Sequence, residues 1–285
     1  LAIACVVVPV DFAPVTALLH DSRLPARVRD LLNVEEGYTD GVLAPVFAFA
    51  LLVAGGEHTK AESVTQTVGH GIPQLAVAIV LGLGIGAGVA LLANAAQDRH
   101  LMTEQSMRVI VVCVPVLTYL INIGLHGNGF IATFLCGIAF NNLRRYRDAP
   151  RELGLSDDLT FLLGAVVWFV FGATAWAVLE DGVSPGLVLF CVLVLTVVRF
   201  GSVLLAMLGS GLPTVERNLV AGLGPRGTAT IVFGLLAYNV LSDRAETTVL
   251  SATILVVLGS VVLHGIAGPA LAGRHARGEA APATE

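Results

Sequence analysis

The stretch 35–40, EEGYTD, runs directly into the apolar segment 41–56, GVLAPVFAFALLVAGG. Three carboxylates, Glu35, Glu36 and Asp40, therefore stand at the start of a segment that is apolar enough to cross a membrane. A charge at the bilayer centre costs about 2.5–3.5 kcal/mol on insertion scales, and acids inside membrane helices are by default ion or proton sites. The alternative is that Glu35 and Glu36 lie in the aqueous interface beside the helix.

The composition is that of a membrane protein. Of the 285 residues, 55% are hydrophobic and 13% are charged, and the mean hydropathy is +0.83. Long apolar runs follow one another with short polar breaks, which indicates an all-α polytopic membrane protein. A spanning β-barrel is excluded because the runs are continuously apolar rather than alternating. The cysteines lie in apolar runs without paired spacing, so we expect neither a disulfide nor a metal site.

Nine candidate spans can be drawn along the chain, at about 1–19, 33–54, 71–95, 107–125, 128–142, 158–179, 185–209, 214–240 and 247–270. The fifth is short for a helix crossing a ~30 Å hydrocarbon core and is expected to be tilted or to cross only partly. Residues 271–285 are predicted to form a short disordered tail. The chain begins at Leu1, is apolar at once and lacks the basic start of a signal peptide, as expected of a chain that begins part-way through its fold.

The basic residues are distributed unequally between the two sides of the predicted membrane. Of the 16 Lys and Arg residues, Lys60 and Arg244 fall in loops on one side, whereas Arg199 and Arg226 fall within spans. The other twelve lie on the opposite side: Arg23, Arg27, Arg29, Arg99, Arg108, Arg144, Arg145, Arg147, Arg151, Arg217, Arg274 and Arg277. By the positive-inside rule, the side with twelve basic residues, which includes the C-terminus, is cytoplasmic.

The first span is expected to be broken around Asp11. Pro9 and Pro14 bracket this residue, and each proline removes a backbone donor and clashes with the preceding turn. Transporters use the free carbonyl groups and the ends of broken helices to hold ions. The alternative is a simple proline kink in which Asp11 caps a half-helix, and capping is compatible with ion binding.

The second span presents several oxygen ligands together. Glu36 and Asp40 are four residues apart and share one helix face, with Glu35 and Thr39 on the adjacent stripe. With Asp11, this gives two buried aspartates and a hydroxyl group, which suit a hard cation and not a transition metal. Two carboxylates held close together resist joint ionisation, so such a site can exchange a proton for a cation.

Two arginines lie inside predicted spans. Arg199 would be costly without an acidic partner, and Glu35 is our candidate for a structural ion pair with it. Arg226 lies in GLGPRGTATIVFG, residues 222–234, whose glycines and proline predict a second broken helix. There it can compensate the negative C-terminal ends of half-helices. A broken helix with an acid early in the chain and one with a base late in it are typical of an inverted-repeat transporter.

The remaining conspicuous residues are interpreted as packing elements. Gly82, Gly84 and Gly86 superficially resemble a nucleotide-binding loop, but no strand precedes them and they suit close helix packing. His126 and His264 are lone histidines, interpreted as packing or interfacial residues. No nucleophile constellation, metal-ligand spacing or phosphate loop is visible, so we expect no enzyme activity, no cofactor and no nucleic-acid partner.

Four stretches together resemble the motifs of one family: PVDFAPV (9–15), EEGYTDGVLAP (35–45), LHGNGFIATFLCGIAF (125–140), and LTVVRFGSV (195–203) followed by GLGPRGTATIVFGLLA (222–237). In order and spacing they resemble the sodium/proton exchangers of the cation:proton antiporter superfamily, in particular the bacterial NhaP-like branch. That family has further spans before the broken helix that carries the aspartate. The resemblance therefore implies an N-terminally incomplete chain, which would be a homodimer when full length.

The resemblance also implies a role for each site residue. Asp40 would be the principal cation- and proton-binding carboxylate, with Asp11 as its partner across the broken helix. Glu35 would pair with Arg199, in agreement with the burial argument above. Arg226 would stabilise the second broken helix.

Some residues depart from the family pattern. Thr39 stands where the family has Asn, Glu36 where it often has Ser or Ala, and Val10 and Phe12 where it has Thr and Pro around the aspartate. The Asn-Asp form accompanies electroneutral exchange in the family, and an Asp-Asp form accompanies electrogenic exchange. The single acid at positions 39–40 therefore favours electroneutral exchange, although Glu36 could supply a second proton and reverse this.

These features predict a secondary transporter in the lipid bilayer of a bacterial inner membrane, which exchanges protons for Na⁺, or for Li⁺ or K⁺, by alternating access. Core helices in residues 1–54 and 185–270 would move relative to scaffold and linking helices in residues 71–179. One alternative is a truncated, non-transporting membrane remnant of such an antiporter. A channel is a weaker alternative, because no repeated selectivity filter is visible.

Overall fold

The computed structural model describes residues 2–18, 24–55, 64–145, 148–180, 182–241 and 244–280. Every regular element in these ranges is helical. Five helices are long and apolar enough to cross a membrane: Ile72–Asp98, Glu104–Gly124, Gly154–Glu180, Pro185–Ala206 and Ala245–Ile266. Two shorter apolar helices cover Gly129–Leu143 and Thr228–Val240. The all-α membrane fold is confirmed, whereas the count of nine spans stays a prediction.

The described residues form twelve α-helices, one 3-10 helix and one π-helical turn. In chain order, they are α1 (Ala2–Val7), a 3-10 helix (Ala13–Leu18), α2 (Ala26–Gly55), α3 (Val64–Asp98), α4 (Glu104–Gly124), α5 (Gly129–Leu143), α6 (Ala149–Glu152), α7 (Gly154–Glu180), α8 (Pro185–Leu193), a π-helical turn (Val194–Val198), α9 (Arg199–Ala206), α10 (Thr214–Gly222), α11 (Thr228–Val240) and α12 (Arg244–Ala280). By contacts, the chain divides into a first unit, residues 1–43 with 167–285, and a second unit, residues 44–166.

The first unit contains both predicted helix breaks. The first span leaves the helical conformation after Val7 and resumes as the 3-10 helix at Ala13, so that Asp11 lies in the non-helical segment between them. The second break separates α10 from α11 and covers residues 223–227. Pro9 lies in the first break and Pro14 in the first turn of the 3-10 helix that follows it. Gly224, Pro225 and Gly227 lie in the second break, and both sets interrupt regular α-helical hydrogen bonding as predicted.

Apolar side chains hold the breaks in place. One buried cluster packs the first break against α2 and α10 and consists of Val10, Phe12, Leu24, Val28, Leu32, Leu219, Val220 and Leu223. A second cluster joins α7, α11 and α12 and consists of Phe171, Ala175, Ile231, Ile254 and Val257. Packing of this kind, together with internal hydrogen bonds, is what stabilises helix association in a membrane.

Three helix ends lie seven or more residues outside the predicted bounds. α2 begins at Ala26 rather than at residue 33, and α3 begins at Val64 rather than at residue 71. The final helix continues to Ala280, so the prediction of a disordered tail is wrong for residues 271–280, while 281–285 lie outside the described residues. The reason is common to all three, because hydropathy marks only the apolar part of a helix. Less apolar segments, at 26–32, 64–70 and 271–280, continue these helices beyond it.

In the second unit, α5 packs closely on α3 and α4. A Cβ atom added at Gly82 would overlap the backbone of Ala132, and one at Gly86 would overlap the backbone of Cys136. A Cβ atom at Gly84, which lies between them on α3, would meet nothing within 4 Å. Two of the three glycines therefore permit close approach of the helix backbones, as interpreted from the sequence, and Gly84 does not.

We expect Gly82→Ala and Gly86→Ala each to destabilise the protein by about 1–3 kcal/mol, because the added methyl group forces two backbones apart. Gly84→Ala is the matched control on the same helix. It should be neutral or stabilising by up to about 1 kcal/mol through helix propensity. Thermal unfolding of the purified protein in detergent measures all three variants, and equal melting temperatures would contradict the packing role.

Candidate functional site

The first break is fixed by two side chains of α2. The N–H group of Phe12 donates to Glu36 Oε1 at 2.8 Å, and the N–H group of Val10 donates to Thr39 Oγ1 at 3.4 Å. Thr39 Oγ1 also donates to the carbonyl oxygen of Glu36 at 3.0 Å. Since Glu36 and Thr39 are three residues apart, they lie on the same side of α2. Their oxygen atoms accept hydrogen bonds from N–H groups that have no partner within the broken helix.

Asp11 lies where the two breaks meet. Its Oδ1 atom accepts from the N–H group of Ala13 at 2.7 Å, and its Oδ2 atom accepts from the N–H group of Ala229 at 3.1 Å. Its own N–H group donates to the carbonyl oxygen of Pro225 at 2.9 Å. One buried carboxylate thus caps the starts of two half-helices, the 3-10 helix and α11, where the helix dipole favours negative charge.

Gly227 makes this approach possible. A Cβ atom at this position would lie 2.9 Å from Asp11 Oδ2 and 2.8 Å from Pro14 Cδ. A side chain there would push the second break away from the first. The glycine therefore lets the carboxylate reach the first turn of α11.

An ion pair between a buried arginine and a half-buried glutamate joins α2 to α9. Arg199 Nη2 lies 2.9 Å from Glu35 Oε2, and Arg199 Nη1 contacts Glu35 Oε1, so the pair is bidentate. Arg199 Nη2 also donates to the carbonyl oxygens of Val220 and Leu223 at 3.1 and 3.2 Å. The guanidinium group therefore neutralises both a carboxylate and the C-terminal end of α10, in the geometry that favours arginine over lysine. The side chain of Arg199 is 7% exposed and that of Glu35 is 24% exposed.

Arg226 lies inside the second break and is 4% exposed. Its Nη1 atom donates to the carbonyl oxygen of Gly224 at 3.2 Å, and its N–H group donates to Ser260 Oγ at 2.7 Å. The cation is thus beside the carbonyl groups that follow α10, where the partial charge of a helix C-terminus is negative.

Two residues of α12 form hydrogen bonds with the second break, and the sequence analysis did not predict these contacts. Ser260 Oγ accepts a hydrogen bond from the N–H group of Arg226, and His264 Nε2 accepts one from the N–H group of Gly224 at 3.2 Å. The interpretation of His264 as a packing residue accounts for its burial and misses this contact. The available signal was the spacing, because Ser260 and His264 are polar residues one helical turn apart in an apolar helix.

The comparisons with known proteins agree with this architecture. The family model described as "Sodium/hydrogen exchanger, transmembrane" matches residues 1–273. The chain belongs to this sodium/hydrogen exchanger family. Its membership confirms the antiporter resemblance; the assignment to a bacterial branch stays a prediction.

This exchanger-family chain is also similar to one curated protein and to one solved structure. A protein of Schizosaccharomyces pombe named Na(+)/H(+) antiporter is 25% identical over 277 residues, which cover 85% of this chain and 57% of that protein. The chain thus spans little more than half the length of this curated relative. The structure of the sodium proton antiporter MjNhaP1 from Methanocaldococcus jannaschii at pH 8 superposes with a TM-score of 0.74 at 17% identity, covering 96% of this chain and 70% of that one. The likeness to MjNhaP1 shows a shared fold.

The exchanger fold brings together most of the predicted site residues whose side chains are described. Glu36, Thr39 and Asp11 surround the first break, and Glu35 lies against Arg199. Asp40 belongs to α2, and its side chain lies outside the described residues. The structure therefore describes the contacts of these side chains, while the ion-binding roles of Asp11, Glu36, Thr39 and Asp40 stay predictions.

Proposed function

We propose that this chain exchanges protons for a monovalent cation across a membrane, with Na⁺ as the principal cation and Li⁺ or K⁺ as alternatives. The observation that carries the proposal is the family match over residues 1–273, combined with an aspartate at the meeting point of two broken helices. The name of the yeast relative is consistent with this function. Because the match covers only 57% of that relative, antiport activity of this chain is a proposal.

The charges around the breaks support a mechanism of competition. Half-helix starts surround Asp11, and Arg199 and Arg226 compensate the carbonyl ends at the second break. We assign the transported cation and proton to Asp40, with Asp11 and Thr39 as further oxygen ligands. A cation binds when the carboxylate is ionised and leaves when a proton takes its place. Non-helical backbone at membrane depth is tolerated where it lines such a site.

The contact of Glu36 bears on the stoichiometry. Its Oε1 atom is engaged by the N–H group of Phe12, so that the carboxylate helps to fix the broken helix. We therefore propose that Glu36 supports the site as an additional oxygen ligand and does not carry a second transported proton. Exchange would then be electroneutral, as the single acid at positions 39–40 suggests.

The fold class is consistent with one kind of transport cycle. We propose alternating access, in which core helices in residues 1–54 and 185–270 move relative to scaffold and linking helices in residues 71–179. The protein is an integral membrane protein. A bacterial inner membrane, a cytoplasmic C-terminus and a homodimeric assembly in the bilayer are part of the proposal.

The test is proton flux in proteoliposomes that carry a pH-sensitive dye. Addition of Na⁺, Li⁺ or K⁺ should move protons in the wild type, and Asp40→Asn should reduce the flux to that of empty vesicles, because the amide cannot exchange a proton. Asp30→Asn, which makes the same change nearer the start of α2, is the matched control and should retain the flux. Clamping the membrane potential should leave the rate unchanged if exchange is electroneutral.

Three outcomes would contradict the proposal. Full flux in Asp40→Asn would remove this residue from the site. A folded wild type without any cation-dependent flux would instead favour the non-transporting remnant. Flux of the cation without proton movement would favour a channel.

A further inference from the structure

The second break is held from outside by α12. Ser260 Oγ accepts a hydrogen bond from the N–H group of Arg226, and His264 Nε2 accepts one from the N–H group of Gly224. Both acceptors are side chains of α12. Ser260 is fully buried and His264 is 2% exposed. Buried backbone groups at a helix break need such partners, since an unpaired one costs about 1–3 kcal/mol. These two side chains replace part of the hydrogen bonding that the break removes.

The contacts define the protonation state of His264. A backbone N–H group can only donate, so Nε2 must accept and can carry no proton. In the neutral ring the proton is then on Nδ1, which lies 2.9 Å from the carbonyl oxygen of Ser260 and can donate to it. Ser260 Oγ lies 3.2 Å from the same nitrogen. The observed arrangement is satisfied by the neutral imidazole with its proton on Nδ1.

A protonated ring would not fit the same contacts. A proton on Nε2 would point at the N–H group of Gly224, and the ring would become a third cation beside Arg226 and Arg199. Glu35 is the acid that acts on this cluster, and it is bound to Arg199. The backbone of Gly222 also faces the ring and favours its protonated form. The two protonation states of His264 therefore favour different hydrogen bonds at the break.

We propose that His264 is a positioning residue for the second broken helix and that it holds the break only while its imidazole ring is neutral. Acidification would then release the N–H group of Gly224 and loosen the end of α10 next to Arg226. Since Asp11 bridges this break to the first one, the change reaches the ion site through Pro225 and Ala229. This regulation of exchange rests on the proposed function; the acid-sensitivity of the break itself does not.

His264→Gln and His264→Ala test the proposal together. The side-chain amide of glutamine can place an acceptor near the position of Nε2 and does not titrate, whereas alanine leaves the N–H group of Gly224 without a partner. His126→Gln is the matched control, because it removes an exposed histidine in the second unit. The first measurement is the thermal unfolding midpoint of the purified protein from about pH 8 to about pH 5, the range in which histidine titrates.

The expected result is a midpoint that falls on acidification in the wild type and in His126→Gln, and falls clearly less in His264→Gln. His264→Ala should unfold at a lower temperature than the wild type at neutral pH. Curves of His264→Gln and wild type that change in parallel with pH would overturn the proposal. This measurement needs no transport, so it remains decisive if the wild type shows no flux.

Proton exchange provides the second measurement. One pH unit below the titration midpoint of a histidine, its neutral fraction has fallen about tenfold. Once the pH is one unit below that midpoint for His264, the flux of the wild type should therefore have fallen up to about tenfold further than that of His264→Gln. Competition between proton and cation at the ion site is common to both proteins and cancels in this ratio. Equal pH profiles for the two proteins would show that His264 does not regulate exchange.

Discussion

Arg199→Ala is expected to destabilise the protein by up to about 3–5 kcal/mol, the cost of breaking a fully buried ion pair by removing one partner, because Arg199 is buried and Glu35 is half-buried. The substitution leaves Glu35 as a partly desolvated charge without a partner. It also leaves the carbonyl oxygens of Val220 and Leu223 without the hydrogen bonds that Arg199 Nη2 donates to them. Because these carbonyl groups end α10, the second break should loosen as well. The unfolding midpoint of the detergent-purified protein measures the loss.

A double-mutant cycle separates the ion pair from the contacts to α10. Glu35→Ala/Arg199→Ala should recover part of the loss, since it removes the uncompensated carboxylate but leaves the two carbonyl groups unpaired. Arg145→Ala is the control, because the side chains of its ion pair with Asp98 are 73% and 45% exposed and such pairs contribute less than about 1 kcal/mol. If Arg199→Ala and Arg145→Ala cost the same, the pair of Arg199 does not organise this part of the fold.

The breaks of both broken helices could be predicted because their causes are local. Proline at positions 9 and 14 and the Gly-Pro-Arg-Gly stretch at 224–227 disrupt helical hydrogen bonds wherever they occur. The partner of Arg199 could be named on energetic grounds, because a guanidinium group within a membrane span needs an acid and few acids are available. Local sequence and the cost of burying charge thus account for this part of the site.

The different contacts that the polar residues of α2 make could not be predicted in the same way. Spacing puts Glu36 and Thr39 on one side of the helix, but it does not say which backbone groups they meet. The N–H groups of Val10 and Phe12 come into reach because the first break is non-helical and lies against α2. That path depends on packing against residues more than 180 positions away in the chain, such as Leu219 and Leu223. The contact between His264 and Gly224 could not be predicted for the same reason, because the two residues are distant in the chain.

Asp11→Ala is expected to remove both caps at once. The substitution leaves the N–H groups of Ala13 and Ala229 without their acceptors, and the loss of a cap costs about 0.5–2 kcal/mol. Two caps on one side chain give an expected destabilisation of about 1–4 kcal/mol. Cation-dependent proton flux should be lost, because the first turn of α11 is no longer bound to the first break. Unfolding midpoints and flux are measured on the same preparation.

Asp11→Asn decides between capping alone and capping combined with ion binding. The amide keeps one acceptor oxygen for one of the two N–H groups and removes the negative charge, so the destabilisation should be smaller than in Asp11→Ala. If the carboxylate also serves the cation, the flux should fall at least about tenfold, the effect of losing ~1.4 kcal/mol of stabilisation, while most of the stability remains. The exposed Asp157 in the first turn of α7 is the matched control, and its change to Asn should cost less than about 1 kcal/mol and leave the flux intact. A stable Asp11→Asn protein with full flux would mean that the carboxylate is a double helix cap and that the cation is bound without its charge.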